Sequence, residues 1–474
     1  MSSVAIRNNL APLIDALVAG DNQALITAAQ VAVTKAEDAS ELIGRIGLIA
    51  MRGDSDGHTV LTLAAASALC RWLIALRHVL GEDEQGQSNG LPLVIQALLA
   101  AAPAVKAGKD VRPSYPEGIF PSEIGPDATV GSRLEQAIYD SRDVTMTERL
   151  LFGLFGTGAD YRTLSIRIYD SISRSFQEDG HALLCAVRGA QVLDSVEWGE
   201  DTPPYIHWLA PHLPLHTEEP SWVQVVRSFV QEPQHSLASY RTRLAAPQNV
   251  NALPLRSLLL SEATTSQVCQ GVYDALIKNG ATARGVGSVI ALAASDLLQN
   301  IGDDDQELFV RASHGLLFAS AARLVFTQVQ EVEALPLLFT AAAAINSLHK
   351  DLGSPTNTAK AARPSGAGGG LIAPALLESL SKQIEAQDIT GALASSRRYI
   401  QLGHDLHALF SVIGLAAAQA DASADQGHTL QIVLAAGDEY LAWPKELADT
   451  NIEGLLQVAL RAATQAKRNS VANI

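Results

Sequence analysis

One helical pattern recurs four times along this 474-residue chain, and that recurrence limits the folds open to it more than any other feature. Each time an apolar helical stretch leads to a histidine, a helix of small residues follows, and another helix begins at Pro or Gly. The first passage reads KAEDASELIGRIGLIA, DSDGH at His58, TVLTLAAASAL and LPLVIQALLAAA. The second reads GTGADYRTLSIRIYDSI, QEDGH at His181, ALLCAVRGAQVL and PPYIHWLAPHL. The third has KNGATARGVGSVIALAA, RASH at His314, GLLFASAARLV and LPLLFTAAAAI, and the fourth QLGHDLHALFSVIGLAA, ADQGH at His428, TLQIVLAAGDEYL and EGLLQVALRAA. Histidine-to-histidine distances of roughly 115–135 residues make each unit the size of a small domain.

Within the units apolar residues return at three- and four-residue intervals, as in Leu150, Leu151, Leu154 and Phe155, and β-branched runs are short. The fold expected is therefore all-α, four degenerate helical repeats forming one or two packed lobes. The repeats span 1–105, 127–230, 255–352 and 371–474. Pro-, Gly- and Ser-rich linkers at 106–126, 231–254 and 353–370 separate them, because those residues supply turn dihedrals and compete with helical hydrogen bonds.

With 47% hydrophobic residues the chain can bury a large core, and a formal charge of −16 repels nucleic acid and anionic lipid, so neither is an expected partner. No uninterrupted apolar run reaches about 18 residues, so a membrane span is not expected. The polar N-terminal segment does not resemble a secretory signal. Cys70, Cys185 and Cys269 stand singly in apolar stretches, which fits a reduced, cytoplasmic setting rather than a disulfide framework, and Cys185 reads as a small buried apolar residue. Alanine-rich faces suit a homo-oligomer.

Histidine carries most of the chemical signal, being the commonest metal ligand and the side chain that titrates near neutrality. If the repeats close around an axis, His58, His181, His314 and His428 converge and act as the catalytic set; in an open solenoid they form a row and cannot cooperate. The plainer role for a histidine after Asp-Gly is a helix-start residue beside an Asp cap. His404 and His407, three apart, read as neighbours on one helix face, and with His428 they form the expected metal set, holding non-haem iron or another divalent metal, with Asp405 or Asp425 adding a carboxylate. His207, His212 and His216 sit in YIHWLAPHLPLH, where Pro211 and Pro214 break the helix that would align them, so a solvated loop competes with a ligand set. Asn346 and His349 echo that spacing more weakly. Asp303-Asp304-Asp305 lacks a second acidic motif, Gly285-Val286-Gly287 has no preceding strand, and Gly366–Gly370 lacks a following Lys-Ser/Thr pair, so diphosphate, dinucleotide and phosphate-loop readings fail on context.

The passages EDGHALLCAVRGAQVL with Trp198, and ASHGLLFASAARLV with LPLLFTAAAA, resemble the questin-oxidase-like helical proteins and the helical bodies fused to Rieske iron–sulfur domains. The resemblance covers about the middle half of the chain and implies an oxidative step on an aromatic or polyketide-like molecule. The Cys-His pairs of a Rieske cluster are lacking, and no catalytic residue is carried over from the resemblance. The expected function is a histidine-lined, non-haem metal-dependent oxidoreductase acting on an apolar or aromatic small molecule. Trp198, Trp208 and Tyr169 would bound its cavity, and the loop with Tyr115 and Phe120 would cover it. The competing expectation is a non-catalytic helical-repeat scaffold or self-associating binding module that needs no cofactor.

Overall fold

The computed structural model describes residues 3–33, 36–82, 90–196, 198–237, 240, 252–329, 331–353, 372–448 and 450–468. Among them the protein is all-α, and the one extended feature is an isolated bridge between Ala420 and Arg468. The helices follow one another as α1 (Ser3–Ala19), α2 (Asn22–Ala32), α3 (Ala36–Ala50), α4 (His58–Leu80) and α5 (Leu91–Gly108), then α6 (Val130–Glu135), α7 (Val144–Gly156), α8 (Tyr161–Ile172), α9 (His181–Asp194) and α10 (Thr202–Leu209). After α11 (Ser221–Gln231) come α12 (Pro254–Leu259), α13 (Thr265–Tyr273), α14 (Ala283–Gln299), α15 (Gln306–Gln328) and α16 (Pro336–Leu352). The chain ends with α17 (Ala373–Glu385), α18 (Ile389–Gln401), α19 (Leu406–Ala417), the short α20 (Ala422–Asp425), α21 (His428–Leu441) and α22 (Glu453–Gln465).

Side-chain caps start many of these helices where the sequence supplies Asp or Thr. Asp21, Asp143, Asp160, Thr282, Asp305 and Asp388 each accept a hydrogen bond from a backbone N–H in the first turn. Four helices form the centre of the molecule. Helix α4 packs on α9, α9 on α15, α15 on α21, and α21 back on α4, which closes a ring. Small residues permit the close approach: Ala64–Ala66 on α4, Ala182 and Ala186 on α9, Ala319, Ala321 and Ala322 on α15, and Ala435 and Ala436 on α21 are all buried. Each ring helix is backed by the helices beside it in sequence, α3 and α5 against α4, α8 and α10 against α9, α14 and α16 against α15, and α19 and α22 against α21.

A buried ion pair joins two of the ring helices. Arg323 Nε on α15 donates to Glu439 Oε1 on α21 at 2.6 Å, with the two side chains 2% and 0% exposed. Such a pair is tolerated only where attraction offsets the desolvation of both charges. Burial pushes the Glu439 carboxyl up, against the opposing pull of Arg323.

Several expectations change. Helix α5 runs on to Gly108, inside the expected 106–126 linker, and Tyr115 in that linker packs on the rings of Phe152 and His207. Ile119 N also donates to Arg149 O at 2.9 Å, so this loop is tied to α7. Most of the 231–254 linker and nearly all of the 353–370 linker lie outside the described residues. Four helical segments, His58–Leu80, Leu91–Gly108, Gln306–Gln328 and Val332–Leu352, do reach the length and mean apolarity of a membrane crossing. Between 56% and 78% of each apolar window is buried inside the protein itself.

Candidate functional site

The closed ring brings the four recurrent histidines together. Ring centres are 5.1 Å apart for His58 and His181, 5.9 Å for His58 and His428, and 4.8 Å for His314 and His428. His212 extends the series, 5.7 Å from His181. His58, His181 and His428 are each the first residue of a ring helix, preceded by a glycine at φ +80°, +86° and +74°. That backbone region favours glycine, and here glycine also lets the turn press on the next helix. A side chain at Gly57 would overlap Cys185 and His181 on α9, one at Gly180 would overlap Phe318 on α15, and one at Gly427 would overlap Thr62 on α4. Cys185, Phe318 and Thr62 each lie four residues after the histidine of their own helix, so the same contact is made three times around the ring. His314 departs from the pattern. It lies inside α15 rather than at its start, because Asp305 caps that helix earlier, its Oδ1 accepting from Leu308 N at 3.0 Å, and no Asp-Gly turn precedes the histidine.

Carboxylates organise the turns below the rings. Asp54 Oδ2 accepts from Val60 N at 3.0 Å, Asp56 Oδ1 from His58 N at 3.1 Å, and Asp425 from Gly427 N and Thr429 N at 2.9 and 3.0 Å. Burial pushes the Asp54 carboxyl up to about 6. Before His58 and His428, then, a carboxylate does accept from the turn or the first helical turn, while the cap position itself is glycine in each case.

Tautomers follow from the main chain, since a carbonyl oxygen can only accept. His428 Nδ1 donates to Asp425 O, and His314 Nδ1 donates to Arg311 O at 3.0 Å. Each neutral ring then carries its lone pair on Nε2, yet the two Nε2 atoms face each other at 3.0 Å. Two lone pairs cannot share that gap without a proton or a metal ion between them. Burial, and next His314, pushes the His428 imidazole down to about 4, so near neutral pH His428 itself presents a lone pair to the gap. An imidazole bound about 2.1 Å from an ion has its ring centre roughly 3.2 Å away, so two rings on one ion stand roughly 4.5–6.5 Å apart. The His58–His428 and His314–His428 separations fall in that range, while the donor atoms of His58, His314 and His428 do not all lie within 4.8 Å of one another, so one ion would have to draw the three rings together. His58 Nδ1 is buried without a hydrogen-bond partner and has the Asp56 carboxylate 3.6 Å away.

His181 is engaged differently. Its Nε2 donates to Asp56 O at 2.7 Å, which leaves the lone pair on Nδ1. Among the described residues the one triad whose donor atoms all lie within 4.8 Å of one another is His181, Cys185 and His212. The His404, His407 and His428 set is not gathered. Asp405 caps α19 between the first two, so His404 stays in the turn against the Tyr399 ring, at 4.9 Å, while His407 begins the helix beside Asp405 with 53% of its side chain exposed. His207 is held by Glu148 Oε1 at 2.6 Å, and His216 Nε2 donates to Pro211 O at 2.5 Å. Asn346 donates to Leu259 O and Ser261 O, a structural role. Tyr169 and Trp208 are core residues, 1% and 3% exposed, and Trp198 packs on Tyr161 and Tyr205, so these aromatics fill space rather than line it.

Sequence reasoning missed Cys185 and His212 as members of the cluster. The spacing of four between His181 and Cys185 was a usable signal, because it stacks both on one helix face. No protein family, curated protein or solved structure matches the chain.

Proposed function

We propose that the protein is a non-haem metal-dependent oxidoreductase whose ion is held among the imidazoles of His58, His314 and His428, with His181 alongside. The observation that carries this reading is the 3.0 Å approach of two Nε2 atoms whose partner nitrogens both donate to carbonyls. Those carbonyls do what the outer partners of metal-bound histidines do, fixing tautomer and ring orientation. Neutral nitrogen donors suit iron, copper or zinc rather than magnesium or calcium, and three protein donors leave coordination positions for a substrate or dioxygen. His181 would add a fourth donor on release from Asp56 O. The oxidative step implied by the questin-oxidase-like resemblance supplies the reaction class, with an apolar or aromatic small molecule as substrate. Quadruplication of one helical unit accounts for the closed ring and for the thrice-repeated glycine contact.

The test is metal analysis of the purified full-length chain, followed by oxygen uptake with a panel of phenolic and anthraquinone-like compounds. Stoichiometric transition metal in the wild type, lost together with oxygen uptake in a His314→Ala/His428→Ala double variant that still melts cooperatively, is the expected result. A wild-type protein that neither retains nor rebinds Fe2+, Cu2+ or Zn2+ after chelation overturns the reading and leaves a shared proton between His314 and His428.

A further inference from the structure

We propose a second metal site, for a thiophilic divalent ion of the zinc kind, formed by Cys185, His212 and His181. It shares only His181 with the centre assigned to His58, His314 and His428, and a metal on His181 Nε2 would take the place of its hydrogen bond to Asp56 O. Two independent placements build it. Helix α9 puts Cys185 one turn beyond His181 on the same face, and the 3-10 turn Ala210–His212 delivers the third donor from the other side, its ring against Trp208 at 5.2 Å. The three donor atoms lie within 4.8 Å of one another. Tetrahedral zinc with nitrogen and sulfur ligands needs about 3.3–3.7 Å between donors, so closure by up to about 1.5 Å completes the set.

The surroundings fit this chemistry better than plain packing does. Cys185 is fully buried, yet its sulfur abuts a histidine pair rather than a wholly apolar wall. At the corresponding place, four residues after each ring histidine, α4 carries Thr62 and α15 carries Phe318, so the thiol is particular to α9. Gly57 closes the near side so tightly that a Cβ there would stand 2.8 Å from both Cys185 Sγ and His181 Nε2. On binding, the S–H bond breaks, its proton leaves to solvent, and the sulfur electron pair forms the metal–sulfur bond, with no change of oxidation state. Burial, and next the carboxylate of Asp54, keeps the thiol protonated, and an ion is what would remove the proton.

Cobalt(II) reports on such a site, because thiolate ligation gives a near-ultraviolet charge-transfer band that nitrogen ligation lacks. Chelator-stripped full-length protein titrated with Co2+ should develop this band stoichiometrically, and Zn2+ should abolish it. The band should persist in Cys70→Ala/Cys269→Ala, which assigns it to Cys185 without altering the site. It should also persist in His314→Ala/His428→Ala, so failure of the first centre and failure of this one are read separately. Cys185→Ser should remove it and weaken Zn2+ binding by at least about tenfold. Absence of the band in folded wild-type protein, or its loss in the Cys70/Cys269 variant with Cys185 intact, overturns the proposal.

Discussion

His314 and His428 come from helices α15 and α21 and meet Nε2 to Nε2 at 3.0 Å, each held from behind by a main-chain carbonyl. Neither ring can turn its N–H inward without abandoning its carbonyl, so the pair is set to bind something electron-poor. Replacing either ring with alanine should lower transition-metal affinity by more than the roughly 10- to 100-fold typical of outer-partner loss. The double variant should be little worse than either single one, since one missing donor already breaks the pair. Competition titration with a chromogenic chelator measures all three.

Burial lowers the His428 imidazole to about 4, below its ordinary 6.5. Between those values the unfolded chain binds the proton that the folded protein refuses, so this group's contribution is intact above pH 6.5 and is lost as pH falls toward 4. Two and a half units correspond to at most about 3 kcal/mol. Asp54 acts in the opposite sense, as its carboxyl is raised to about 6, so the total pH profile mixes both. The clean quantity is the difference between metal-free wild type and His428→Gln. The wild type should lose up to about 3 kcal/mol relative to the variant between about pH 7 and pH 4, measured by urea unfolding.

The buried Arg323–Glu439 pair should behave as a unit. Glu439→Ala or Arg323→Ala strands one charge in a site 0–2% exposed and should cost about 3–5 kcal/mol. An Arg323→Met/Glu439→Leu double variant should recover most of that loss. Denaturation midpoints of the four proteins decide it, and additive losses in the double variant would contradict a paired role.

Two glycines separate backbone strain from contact. Gly81 has φ +69° with open space around it, whereas Gly57 has φ +80° and abuts Cys185 and His181. Gly81→Ala should cost about 1–2 kcal/mol from the left-handed backbone alone. Gly57→Ala should cost clearly more and should also perturb the cobalt–thiolate band, which Gly81→Ala leaves unchanged. Thermal melts and the cobalt spectrum together provide the comparison.

The helical class was legible because three- and four-residue apolar spacing is a local property, and so were the helix starts at His58, His181 and His428, which glycine turns announce. The His404–His407 pairing misled because spacing of three aligns side chains only inside a helix, and the Asp405 cap places the helix start between them. Cys185 and His212 escaped notice as partners because they meet only when a Pro-broken turn returns to α9, a contact no local pattern encodes. Tyr115 likewise joins Phe152 and His207 through packing that its loop sequence does not specify.

By itself the sequence determined that helices form and where many of them begin, since propensity, capping and periodicity act over a few residues. Only the tertiary structure decided that α4, α9, α15 and α21 close into a ring rather than extend as a row. That choice depends on how buried alanine faces and glycine turns pack across more than a hundred residues of chain, and it is what sets the rings of His58, His181, His314 and His428 beside one another in series.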